Sequence, residues 1–273
     1  MGIGAIQATL IKELRQTGNW KGIKTICELG SQIPLRRELL DLVSPDYDGS
    51  LTARDFYAGL GIADYVAIDF NGAQGALSFD LNNDLGQTYG YGETFDLVTN
   101  FGTSEHCFNQ FAIFKNIHNL CGKGGYIAHT LPSQGWGRHC LFRYDVNFFA
   151  DLAKANDYDL LVLKPFLRIG NYVKRDRSTT IDPILTLCNS ILRQMDQPAS
   201  REPPARGPAA RAAEKALRRK ELLALRAVGK SNALFSITLG CLLRKKNDAP
   251  FVTPIQGMYA NSAAPASLSA ETS

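Results

Sequence analysis

Apolar residues recur three or four positions apart from Ile3 through Ile6, Leu10 and Ile11 to Leu14, which predicts a helix with one buried face. Ile23 to Leu29 is a β-rich run stopped by Gly30, and Leu35, Leu39, Leu40 and Val43 return to helical spacing. The same alternation repeats. Ser50 is the expected N-cap of a segment through Tyr57, closed by Gly59 and Gly61 ahead of a strand over Tyr65 to Asp69. A short third strand is expected over Ala76 to Phe79 and a fourth over Phe95 to Thr99. A helix from about Ser104 to Leu120 leads to a fifth strand over Tyr126 to Thr130. A further helix over Asn147 to Ala155 precedes the apolar run Leu160 to Leu163. Strands alternating with helices, several of them apolar throughout, predict an α/β fold with a mostly parallel sheet covered on both faces.

The pattern fades after Arg168. Gln197 to Pro208 is rich in Pro, Arg and Ala and reads as a linker, while Ala209 to Ala227 is composed of helix formers and carries Arg218-Arg219-Lys220. Order returns at Leu234 to Leu243. The expected organisation is a helical lead-in over 1–22, a core over 23–168, an insertion over 169–233, a final core strand over 234–248 and a flexible tail over 249–273.

Composition narrows the function classes. A formal charge of +4 over 273 residues is too small to imply nucleic acid, and the basic segment Arg211 to Arg226 suggests at most an acidic partner. No apolar run approaches membrane-spanning length, so no membrane span is expected. The six cysteines are dispersed without zinc-type spacing, and together with the lack of a secretory leader they favour reduced thiols in the cytoplasm. The sequence offers no metal site.

In an open parallel sheet, ligands bind beyond the carboxyl ends of the strands. Those ends are polar here. The first strand runs into Glu28-Leu29-Gly30-Ser31-Gln32, where a glycine lets backbone approach a ligand, and the second ends at Asp69, an acceptor suited to a ribose diol. Asp80 closes the third, and Asn100-Phe101-Gly102 follows the fourth, with Glu105, His106 and Gln110 crowded just beyond. His129, Gln134, His139 and Tyr144 form a second polar set in or after the fifth strand. An isolated carboxylate at such a position more often caps a loop; the ordered set favours a ligand.

This set resembles the class I S-adenosylmethionine-dependent methyltransferases. Glu28 and Gly30 match the family's first motif, Asp69 its second, Asp80 its third, Phe95 to Gly102 its fourth and Gly124 to His129 its fifth. The resemblance covers roughly Ile23 to Pro165, with Leu234 to Lys246 as the final antiparallel strand. It implies a Rossmann-like, mostly parallel, seven-stranded sheet with its last strand antiparallel. It also implies S-adenosylmethionine as cofactor, held by Glu28, Gly30, Ser31, Asp69, Asp80, Asn100, Phe101 and Gly102. Gly30 stands alone where many members carry two or three glycines, and the stretch from there to Asp69 is long.

Methyl transfer needs an acceptor held in line and, for a hydroxyl, a base. His106 or His129 would take that role, with Glu105, Gln110, Gln134, His139 and Tyr144 around the acceptor. The expected reaction is O-methylation of a small polar molecule. Motifs for amide, adenine-amino or cytosine C5 methylation are missing. The alternatives are a non-catalytic module of the same fold, or an NAD-dependent oxidoreductase, which the lack of Gly-x-Gly-x-x-Gly after the first strand disfavours.

Overall fold

A computed structural model describes residues 2–16, 20–34, 52–136, 139–171 and 233–257, together with residues 212, 215, 216 and 219. The short strand β1 (Gly2–Ile3) pairs in parallel with β3 (Ile33–Pro34), flanking the helix α1 (Ala5–Gln16) and the core strand β2 (Thr25–Leu29). Then follow α2 (Ala53–Gly59), β4 (Asp64–Ile68), α3 (Leu85–Tyr89) and β5 (Phe95–Phe101). The remainder comprises α4 (Gln110–Leu120), β6 (Cys121–Pro132), α5 (Val146–Ala155), β7 (Tyr158–Asn171) and β8 (Ala233–Lys245).

Among the described residues six strands form one sheet in the order β4-β2-β5-β6-β8-β7. Only β8 runs antiparallel, inserted between β6 and β7. The α/β class and the antiparallel last strand are therefore as expected, and the described residues contribute six strands to the sheet against an expected seven. The third expected strand, Ala76 to Phe79, is reduced to a single parallel bridge between Ile68 and Leu77. A tight turn over Ala73–Gly75, entered from left-handed Gly72 and ending on left-handed Gly75, delivers the chain there, and Ser78 Oγ then donates back to Phe70 O at 3.0 Å.

Side-chain alternation explains why the sheet is buried on both faces. Cys27 and Leu29 of β2, Val98 of β5 and Ile127 and Leu131 of β6 enter one core with α4 and α5. Ile26, Leu97, Tyr126 and Ala128 enter the other with α1 and α2. Gly240 of β8 lets α1 lie close, since a Cβ there would meet Leu10 at 3.2 Å and Phe166 at 2.6 Å. Thr52, not Ser50, is the N-cap of α2, because it forms a capping box with Asp55. The helix expected from Ser104 is a 3-10 turn over Ser104–His106 followed by α4, which Asn109 caps through Ala112 N.

The pairing of Asn171 with Ala233 brings the two ends of the insertion together. Within that insertion, residues 212, 215, 216 and 219 are helical and exposed, and the rest of the basic segment 211–226 lies outside the described residues, as does the linker 197–208. Residues 249–257 are held rather than loose: Val252 N donates to Asn156 Oδ1 at 2.8 Å, and Ala249 O lies 2.8 Å from His118 Nε2. Beyond 257 the expected tail lies outside the described residues. Among the described residues no helix is long and apolar enough to cross a membrane, and Cys27, Cys107, Cys121, Cys140 and Cys241 are free thiols.

Candidate functional site

From β2 the chain moves outward to β4, whereas β5 lies on the other side of β2. The loops after β2 and β5 therefore diverge and leave a crevice at the carboxyl ends of the strands. A cavity of about 320 Å³ opens there. Its walls come from Gly30, Ser31 and Gln32 after β2, Asp69 and Phe70 after β4, Phe79 to Asn82, and Gly102, Thr103, His106 and Cys107 after β5.

Gly30 keeps one wall as bare backbone. Its φ is +81°, and an added Cβ would come within 2.4 Å of Thr103 Oγ1, which itself donates to Leu29 O at 2.6 Å. Asp69 Oδ2 accepts from Ser31 N at 2.7 Å and Oδ1 from Asn71 N at 3.2 Å, which ties the ends of β2 and β4 together while leaving the carboxylate on the cavity wall. Asp80 uses one oxygen, Oδ1, for Asn82 N at 2.9 Å and Asn82 Nδ2 at 2.8 Å; its other oxygen has no bond among the described residues. Phe79, Leu81 and Phe70, the last 75 % exposed, supply apolar surface to the same cavity.

Gln32 was not singled out from the sequence. It is 1 % exposed, lines the cavity, and its Oε1 has no partner among the described residues. A buried acceptor left in that state is costly, and a ligand N–H reaching it removes the cost. Asn82, Thr103 and Cys107 also line the cavity.

Several expected site residues lie elsewhere. Glu28 is fully buried behind the cavity, accepting from Tyr57 Oη at 3.1 Å and Tyr65 Oη at 2.6 Å. Burial pushes its carboxyl up to about 7 despite those hydrogen bonds. Phe101 is a core residue. Asn100 points inward, donating through Nδ2 to Ser104 Oγ at 2.9 Å and accepting Ser104 N at 3.1 Å. Tyr144 donates to Gln110 Oε1 at 2.7 Å, and Gln110 Nε2 donates to Ser104 O at 2.9 Å, so both serve the turn that carries His106. Gln134 is exposed and engages Ile237 N through its carbonyl, away from the cavity lining.

His129 is corrected outright. It is fully buried beside Phe114 and Phe149, and its one bond among the described residues is between Nδ1 and Asn100 Nδ2 at 3.1 Å. Burial alone holds the imidazole neutral, down to about 3. A core histidine of this kind cannot meet an acceptor.

His106, by contrast, lines the cavity with 41 % of its side chain exposed, and its pKa is lowered by burial and then by the His139 charge. Its Nε2 lies 3.9 Å from Glu105 Oε1, and its ring lies 5.2 Å from that of His139. Glu105 is 1 % exposed, and burial pushes its carboxyl up to about 7.

No family model and no curated protein matches the chain. Solved structures do. One is a S-adenosylmethionine-dependent methyltransferase from Archaeoglobus fulgidus, 9 % identical, with a TM-score of 0.41 and coverage of 89 % of this chain and 95 % of that one. Another is the O-methyltransferase of a trans-AT PKS multienzyme from Brevibacillus brevis, in complex with S-adenosyl-L-homocysteine. It is 13 % identical, with a TM-score of 0.36 and coverage of 90 % of this chain and 76 % of that one. Similarity at this distance assigns no activity, and the functional reading rests on the cavity itself.

Proposed function

We propose that this chain is an S-adenosylmethionine-dependent methyltransferase acting on a small polar acceptor by O-methylation. The observation that carries the reading is the cavity at the switch point of the sheet, lined by the Asp69 carboxylate, the bare backbone of Gly30 and the buried Gln32, whose Oε1 has no partner among the described residues. A nucleoside fits these donors and acceptors. Asp69 accepts the ribose hydroxyls, the spare oxygen of Asp80 takes an adenine N–H, and Phe70, Phe79 and Leu81 cover the base. The amino-acid end lies along Gly30, Ser31 and Gly102, whose backbone can approach it closely, and Gln32 Oε1 accepts from its ammonium.

S-adenosylmethionine supplies a methyl group on a sulfonium, whose C–S bonding pair returns to sulfur as the acceptor atom bonds to carbon. The protein's part is placement, exclusion of water and handling of the acceptor proton. Of the histidines expected to serve as base, only His106 lines the cavity, so acceptor activation falls to the cluster Glu105, His106 and His139.

Calorimetric titration with S-adenosylhomocysteine tests the assignment. Asp69→Ala should weaken binding by about ten- to hundredfold, the value of roughly 1.5–3 kcal/mol for a hydrogen bond to a charged group, while the melt stays cooperative. Unchanged affinity would overturn it.

A further inference from the structure

We propose that Glu105, His106 and His139 bind a divalent transition-metal ion at the rim of the cavity, with coordination positions left open for an oxygen of the acceptor. No local pattern points to it, because His139 is 33 residues from His106 and follows a different strand. The fold closes that distance. The three donor atoms lie within 4.8 Å of one another. Bonds of about 2.0–2.1 Å to one tetrahedral ion need donor separations of roughly 3.4 Å. Both imidazoles are exposed, so small side-chain rotations close the gap.

The second observation is the state of Glu105. It is buried, its Oε2 has no hydrogen-bond partner among the described residues, and its only ion pair there is the 3.9 Å approach of His106. A buried carboxylate without counter-charge is strongly disfavoured, and a cation between it and the two imidazoles supplies that charge. The site is also built as a unit. Leu141 N and Phe142 N both donate to Glu105 O, at 3.0 and 3.1 Å, stitching the loop that carries His139 to the residue that offers the carboxylate. Trp136, anchored through Nε1 to Ile237 O at 3.0 Å, packs its ring 4.8 Å from that of His139.

Two imidazoles and one carboxylate suit zinc, iron, cobalt or nickel better than magnesium or calcium, and three protein ligands leave positions open. Its role rests on the methyltransferase reading. An ion there lowers the pKa of a bound acceptor hydroxyl, whose proton leaves to water. The oxygen pair so freed forms the bond to the methyl carbon, and the C–S pair returns to sulfur.

The test uses the full chain stripped with a chelator and titrated with Co²⁺, followed by calorimetry and by the visible absorption of the bound ion. One equivalent should bind. Glu105→Gln and His139→Ala should each weaken binding by roughly tenfold or more, with cooperative melts retained, while Cys140→Ser, at the neighbouring thiol, should leave it unchanged. Absence of saturable binding, or unchanged binding in both ligand variants, would overturn the site. Titration of the same preparations with S-adenosylhomocysteine separates the two claims: nucleoside binding without metal binding overturns the metal site alone. Metal binding without nucleoside binding keeps the site and overturns its role.

Discussion

Replacing Glu28 by Gln probes the wall on which the cavity is built. The carboxyl sits among Tyr57, Tyr65 and the end of β2, fully buried, and its pKa is raised from 4.5 to about 7 by burial. The unfolded chain releases this proton near 4.5 whereas the folded chain keeps it to about 7. Between those values the folded state binds more protons, so stability falls as pH rises, and the loss is complete above the folded pKa. Integrated from pH 5 to pH 8 at about 1.36 kcal/mol per unit, the cost is about 2–3 kcal/mol. Glutamine resembles the protonated acid in shape and does not titrate. Urea unfolding of both proteins across this range should show the difference in stability moving toward the variant by about 2–3 kcal/mol. Its affinity for S-adenosylhomocysteine should stay within a few-fold, because Glu28 does not line the cavity. Parallel stability profiles would refute the buried, protonated Glu28, and loss of nucleoside binding would return it to the ligand site.

Gly30→Ala forces a Cβ to within 2.4 Å of Thr103 Oγ1 at a φ of +81°; it should weaken nucleoside binding by roughly tenfold or more and lower stability by about 1–3 kcal/mol, and calorimetry showing wild-type affinity would contradict the close-approach role. Replacing residues 197–228 by a short Gly/Ser linker should preserve a cooperative melt and nucleoside affinity, because the flanking strands pair down to Asn171 and Ala233; loss of the cooperative melt would show that the segment belongs to the core.

Strand endings were the legible part of the site. Asp69, Asp80, Gly30 and Gly102 stand out because a polar residue or a glycine interrupts an apolar run, and all four line the candidate cavity. Side-chain direction was less so. Asn100 and Gln110 read as polar groups beyond the fourth strand and Tyr144 as part of the set after the fifth, yet they bond to one another through Ser104 and support the turn that carries His106. His129 carried an unused signal: it shares strand parity with Ile127 and Leu131, which enter the core beneath α4 and α5, so its side chain had to follow them. Gln32 and the Glu105–His106–His139 cluster depend on how loops fold over the sheet, and no local pattern encodes that. The reduction of the expected strand Ala76 to Phe79 to a single bridge has a local cause, since the Gly72 to Gly75 turn leaves too short an extended segment for a ladder.

The most direct test of the central claim is a crystal structure of the chain with S-adenosylhomocysteine. The account predicts both ribose hydroxyls within hydrogen-bond distance of the Asp69 carboxylate, the adenine amino group on Asp80, and the ammonium group on Gln32 Oε1. A cavity that stays empty under saturating ligand, or a ligand bound away from Asp69 and Gly30, would contradict it.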